Sequence, residues 1–222
     1  MRADLAALRV EQTALAARVV THDALPKTPR YIGGVDVSCS RFDPTRQVYA
    51  AIVVLEWPGL TEVARAGITA SADMPYITGF LGFREVPAAM RAFEALPIKP
   101  ELLFVDGQGI AHPRRCGMAA HLGVKLDLPS IGVGKSRLVG KVDQPLGEAV
   151  GSTEYLRDRG EVVGALLRSR AKANPLYISI GHRISLETAL QWVRACGTGR
   201  RLPEPTRLAH EAAGMVRRAA LA

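Results

Sequence analysis

The sequence predicts one α/β domain built on a mixed β-sheet flanked by helices, and two patterns carry that expectation. Three consecutive strand-like segments near the N-terminus read as an antiparallel meander, and two short, wholly apolar runs further on alternate with helical stretches, which implies a parallel portion of the sheet. The 222 residues, 48% apolar and 23% charged, suffice for a single domain with a sizeable core.

The elements follow in chain order. The first 20 residues are expected to form an amphipathic helix with Leu5, Leu8, Leu15 and Val19 near one face and Arg2, Arg9, Glu11 and Arg18 mostly elsewhere; Pro26 and Pro29 stop it. Residues 31–38, 48–56 and 62–70 are strand candidates, with the turn pair Pro58-Gly59 between the last two. A loop over 74–79 leads to a helix predicted from Val86 to Leu96 and closed by Pro97. Leu102 to Val105 is a strand, His112-Pro113 precedes a helix of roughly ten residues, and Ser130 to Val133 is another strand. Further strands are expected over 161–168 and 176–180, then helices over 185–196 and from Pro205 onward. No repeat, low-complexity tract or linker interrupts the pattern, so residues 1–222 are read as one domain.

Composition excludes several classes. The longest aliphatic run, Ala50 to Leu55, is far shorter than the roughly 20 residues of a membrane span, and charges at Arg2, Asp4, Arg9 and Glu11 break up any export signal. Three cysteines without CxxC spacing suggest neither a disulfide framework nor a zinc ribbon, so a reducing cytoplasm is the expected compartment. The net charge of +8 is uneven: residues 1–150 carry 17 Lys+Arg and 15 Asp+Glu, whereas residues 151–222 carry 12 and 6. Such an excess suits a phosphate-bearing partner, or merely a solvated basic face.

Three acidic residues stand at element ends in apolar or glycine-rich surroundings: Asp36 within a strand, Glu85 at the entrance to a helix and Asp106 just past a strand. A carboxylate there is costly to desolvate unless a cation, a donor or solvent meets it. Converging carboxylates favour hard cations such as Mg²⁺ or Mn²⁺, although each residue alone could be a cap or turn. His112 ends a glycine-bearing loop after a strand, where it could donate to a phosphate or base, or cap the following helix. Gly132-Val-Gly-Lys-Ser136 is not a P-loop, because the glycine that motif requires five residues before Gly134 is Pro129. Lys135 still sits in a glycine-rich loop suited to stabilising charge on a phosphate. Tyr76, Phe80 and Phe83 concentrate aromatic surface in a chain that is 5% aromatic; they could stack on bases or anchor the core. Arg207 and His210 share one side of the last helix, where a salt-bridged surface pair is the plain alternative. His182 could contact a nucleic acid or anchor the helix that follows it.

Six segments, in order, resemble the endonuclease V family of deoxyinosine-directed nucleases, whose fold is RNase H-like. They are Gly-Val-Asp-Val-Ser (34–38), Pro-Tyr-Ile-Thr-Gly-Phe-Leu-Gly-Phe-Arg-Glu (75–85), Asp-Gly-Gln-Gly-Ile-Ala-His-Pro-Arg (106–114), Ile-Gly-Val-Gly-Lys-Ser (131–136), Ser-Ile-Gly-His-Arg-Ile-Ser-Leu (179–186) and Leu-Pro-Glu-Pro-Thr-Arg-Leu-Ala-His (202–210). The resemblance implies that Asp36, Glu85 and Asp106 bind Mg²⁺, with Mn²⁺ able to substitute, and that Lys135 and His210 complete the catalytic group. It implies that residues 75–77 form a strand-separating wedge with Tyr76 as its aromatic element. The flipped hypoxanthine would lie among Gly79, Leu81, Gly107, His112 and Leu138, and a deaminated base costs less to extract than a normal one. The fourth wedge residue is Thr78 where the family pattern has proline, which removes a restraint on φ.

The implied reaction is hydrolysis of the second phosphodiester bond 3′ to deoxyinosine, leaving a 3′-hydroxyl and a 5′-phosphate, with metal-activated water attacking in line. The implied partner is deoxyinosine-containing DNA, with the C-terminal basic excess holding the duplex; no membrane or protein partner is expected, and the chain reads as a monomer. The alternatives are an inosine-directed endoribonuclease, since a 2′-hydroxyl contact is not legible in sequence, and a non-catalytic nucleic-acid-binding protein on the same fold. The presence of all three carboxylates argues against the latter.

Overall fold

A computed structural model describes residues 4–25, 28–40 and 43–222; Arg2 and Pro26, named above, lie outside them. The helices are α1 (Leu5–Ala16), α2 (Leu81–Ala95), α3 (Met118–Leu126), α4 (Leu186–Ala195) and α5 (Glu204–Leu221). The strands are β1 (Tyr31–Cys39), β2 (Gln47–Glu56), β3 (Thr61–Ser71), β4 (Leu102–Val105), β5 (Ser130–Gly134), β6 (Lys141–Val142), β7 (Thr153–Asp158), β8 (Glu161–Leu167) and β9 (Leu176–His182). All nine described strands form one sheet in the order β3-β2-β1-β4-β5-β9-β8-β7-β6. β1, β4 and β5 run parallel at its centre, and every other neighbouring pair is antiparallel. The expected mixed sheet and N-terminal meander are therefore present.

The alternation of side chains along a strand divides the core into two layers. In β2, Ala51, Val53 and Leu55 face the layer that holds α4 and the buried Ala212 and Ala213 of α5. Ala50, Ile52 and Val54 face the layer built from α2 and α3. β4 divides the same way, Leu102 and Phe104 to the first layer and Leu103 and Val105 to the second. Its four residues are all buried, which is why this strand reads as a continuous apolar run rather than an alternating one.

Four local expectations need correction. α2 begins at Leu81, not Val86, and carries Pro87 in its interior. Burial of Val86, Ala88, Ala89 and Ala92 against the sheet outweighs the hydrogen bond that an interior proline removes. Glu85 therefore sits inside the helix rather than at its entrance. α3 begins five residues after Pro113, so His112 does not cap it. On α1 the buried positions are Gln12 and Leu15, whereas Leu5 and Leu8 are not buried; Asp4 caps the helix by accepting from the amides of Ala6 and Ala7. β6 and β7 were not expected: only Leu156 of β7 is buried, so this outer ribbon has no apolar periodicity to announce it.

Candidate active site

The central parallel strands place three polar side chains side by side on one face. Along β1, Ile32 faces the α4 and α5 layer, so Gly34 and Asp36 follow on the same side at a period of two. By the same count Leu102 and Phe104 are followed by Asp106, and Ile131 and Val133 by Lys135. The register pairs Val35 with Val105 and Val105 with Gly132, so Asp36, still within β1, stands beside Asp106, just past the end of β4, and Lys135 follows the end of β5, near the carboxyl ends of the parallel strands where ligands usually lie. The Asp106 amide donates to the Val35 carbonyl at 2.9 Å, which ties the two aspartates together.

α5 crosses this face closely. A Cβ on Gly34 would lie 1.8 Å from the carbonyl oxygen of Pro205, so glycine is needed for the helix to approach β1. That approach brings His210, from a solvent-exposed position, to 2.7 Å between its Nδ1 and Asp36 Oδ2. Arg207 does not pair with His210; it forms ion pairs with Glu204 and Glu211 on its own helix. Among the described residues, Asp36, Asp106 and His210 each offer a ligand atom within 4.8 Å of the others. Lys135 Nζ is ion-paired to Asp106 Oδ2.

Glu85, on α2 in the opposite layer, lies outside this group of three ligand atoms but lines the same cavity, beside the Cys39 thiol at 3.8 Å. Burial, then the nearby Asp36 carboxylate, push its carboxyl from 4.5 up to about 8. The same two causes raise Asp106, against the pull of Lys135. Crowded, half-compensated carboxylates of this kind are what a divalent cation relieves, so the residues present fit such an ion. A testable consequence follows. A carboxyl raised in the folded state stays protonated there while the unfolded chain ionises, so its contribution to stability is full below about pH 4.5 and is lost as the pH rises toward 8. In EDTA, the stability of wild type relative to Glu85→Gln is expected to fall by on the order of 3 kcal/mol between pH 5 and pH 8. Denaturant melts at the two pH values check this; a constant difference contradicts it.

The eleven residues that the resemblance implies for the catalytic group and for lesion binding line one cavity of about 580 Å³: Asp36, Glu85, Asp106, Lys135 and His210, together with Tyr76, Gly79, Leu81, Gly107, His112 and Leu138. Tyr76 is half-buried, while Phe80 packs under the Arg114 guanidinium and Phe83 sets its ring edge against His121, so those two serve as anchors. Gly79 has φ +83°, a left-handed conformation that glycine takes without strain. His112 is buried, and desolvation pushes its imidazole down to about 4. The neutral ring protonated at Nε2 donates to the Gly79 carbonyl at 3.2 Å and accepts the Arg114 amide at Nδ1 at 3.1 Å, so both nitrogens are engaged within the protein. His182 is an anchor: it accepts the Val20 amide and meets Asp127.

Sequence reasoning missed three residues. Gln12 and Arg114 brace the Gly79 carbonyl at 3.1 and 2.6 Å. Arg201 donates to the carbonyls of Lys135, Asn174 and Pro175, fixing the loop that carries Lys135. Arg114 was legible only as the last residue of the segment 106–114, and Arg201 only as a basic residue. Gln12 had one signal, a polar residue three positions from Leu15 on a helix face.

The chain is similar in sequence and fold to known proteins. The family profile of Endonuclease V matches residues 13–211. The chain is 50% identical over 194 residues to the Endonuclease V of Gloeobacter violaceus, a match covering 87% of this chain and 79% of that one. The crystal structure of Streptomyces avermitilis Endonuclease V superposes with a TM-score of 0.91 at 36% identity, over 100% of this chain and 96% of the other. That of Ciona intestinalis Endonuclease V, in complex with a 24mer DNA containing an inosine followed by a ribo-adenosine, superposes with a TM-score of 0.83 at 26% identity, over 97% and 98% of the two chains. The chain belongs to the endonuclease V family.

Proposed function

We propose that residues 1–222 act as one domain and one enzyme, a Mg²⁺-dependent endonuclease that nicks DNA at the second phosphodiester bond 3′ to deoxyinosine, leaving a 3′-hydroxyl and a 5′-phosphate. The observation that carries this reading is the union, in one cavity, of a carboxylate cluster with the loops suited to a flipped base. The inosine-containing DNA bound by the Ciona relative supports the same substrate class. Asp36, Asp106 and Glu85 would hold Mg²⁺, or Mn²⁺ in its place, and His210 is added to the possible ligands by its position. When bound, the ion supplies positive charge opposite the scissile phosphate.

The chain's own groups do the rest. Lys135, held by Asp106 and by the Arg201-braced loop, places an ammonium where charge develops on phosphorus oxygens. His210, oriented through Nδ1 by Asp36, presents its second nitrogen to water or to the leaving oxygen. Glu85 holds a proton at neutral pH until a cation compensates its charge. Gly79, Leu81, Gly107, His112 and Leu138 line the part of the cavity that would receive the base. The three cysteines are free, in keeping with a reducing cytoplasm, and the protein is proposed to act there as a monomer. No helix among the described residues is long and apolar enough to cross a membrane.

Tyr76→Ala is expected to narrow the affinity ratio between inosine and undamaged duplexes by roughly tenfold, the loss of one aromatic stacking contact. Fluorescence anisotropy in Ca²⁺ measures it, and an unchanged ratio would refute the wedge role. The ribo-adenosine in the Ciona complex favours one second reading, an inosine-directed endoribonuclease. Cutting of matched DNA and RNA strands, each with a single inosine, followed by mapping of the product ends, decides between the two. Faster cutting of RNA would replace the first reading by the second.

A further inference from the structure

The cavity wall is braced by a buried amide from a distant part of the chain. Gln12, on α1, is 1% exposed, and both its donors and its amide oxygen are engaged. Its Nε2 donates to the Gly79 carbonyl at 3.1 Å and to the Cys116 carbonyl at 2.7 Å, and its Oε1 accepts from Arg114 Nε. Arg114 in turn donates to the same Gly79 carbonyl and lies 4.3 Å over the Phe80 ring. Gly79 and Cys116 belong to the two loops that wall the cavity, before α2 and before α3. The Gly79 carbonyl thus meets three donors, from Gln12, Arg114 and His112, although a carbonyl oxygen has two lone pairs. Three donors converging on one half-buried carbonyl hold it in place from three sides.

The geometry points to Gln12 as a specificity-determining positioning residue: acting through Gly79 and Arg114, it sets the spacing between the two loops that enclose the base. The inference rests on reading this cavity as the inosine pocket. Gln12 touches neither the carboxylate cluster nor Lys135, so its effect falls on recognition rather than on the cutting step. Glu at this position keeps the acceptor toward Arg114 and loses both donors; Met keeps the length and loses all three bonds. A pocket of altered width accepts a flipped hypoxanthine less well while backbone contacts to either duplex persist.

The test uses the full chain and two matched duplexes, one with a single inosine and one with adenine in its place. Affinities are measured in Ca²⁺, and KM and kcat for the inosine duplex in Mg²⁺. Gln12→Glu and Gln12→Met are each expected to lower the inosine-to-adenine affinity ratio roughly tenfold, as for loss of buried hydrogen bonds, with the kinetic loss in KM rather than kcat. A ratio kept within twofold by whichever variant folds overturns the inference. So does an equal loss of affinity for both duplexes, the mark of a merely structural role. Should wild type itself bind the two duplexes equally, the inosine reading of the cavity fails instead, which separates the two claims.

Discussion

Asp106→Ala is expected to lower the nicking rate on an inosine duplex in Mg²⁺ by about a thousandfold or more, the scale seen when a group that stabilises transition-state charge is removed. Asp106 is the point at which the parts of the site meet. Its backbone is pinned to β1, its carboxylate lies in the Asp36 and His210 cluster, and it pairs with Lys135. Removing it deletes a candidate metal ligand and releases the ammonium from its partner. The positive charge of Lys135 remains, and the loops of the base cavity keep their own supports from Gln12 and Arg114. Binding to inosine DNA in Ca²⁺ is therefore expected to persist while cutting is lost. Full nicking by this variant would mean that the cluster is not the cutting centre.

Gly34→Ala is expected to damage both fold and site. The added methyl would lie 1.8 Å from the Pro205 carbonyl oxygen and 2.2 Å from its carbon, both backbone atoms that no rotamer change can move. Either β1 or the start of α5 must shift, at a cost of about 3 kcal/mol, the upper range for overpacking. His210 lies one and a half turns further along the same helix, so its bond to Asp36 is strained as well. Denaturant unfolding and nicking at a temperature where the variant remains folded measure the two effects separately. Gly59→Ala provides the comparison: the nearest atom to its added methyl is the Thr61 hydroxyl oxygen at 3.5 Å, an ordinary contact. Equal behaviour of the two variants would show that close approach at Gly34 does not hold the site together.

The parts of this molecule that were legible in its sequence are those governed by local period and by chemistry out of place. The meander, the all-apolar β4 and the carboxylates at Asp36 and Asp106 showed themselves because an acid at the end of an apolar strand is costly without a partner. The parts that were not legible depend on tertiary packing. The sequence predicts α2 from Val86, yet Gly82, Arg84 and Glu85 are buried as well, so the helix extends back to Leu81 and Glu85 lies inside it. Gln12 and Arg201 act on carbonyls far away in sequence, and no local pattern announces such bonds. The C-terminal basic excess was legible only as a sum. Arg168, Arg201 and Arg207 are engaged by carbonyls or carboxylates of the protein itself, which leaves fewer charges for phosphates than the count implies.

One cavity is proposed both to receive the altered base and to cut the strand with the aid of a divalent ion. Single-turnover nicking of paired duplexes, one with inosine and one with adenine at the same position, in Mg²⁺ and in EDTA, tests it most directly. A cut is expected only in the inosine strand and only with Mg²⁺. Equal cutting of both duplexes, or cutting that survives EDTA, would contradict it.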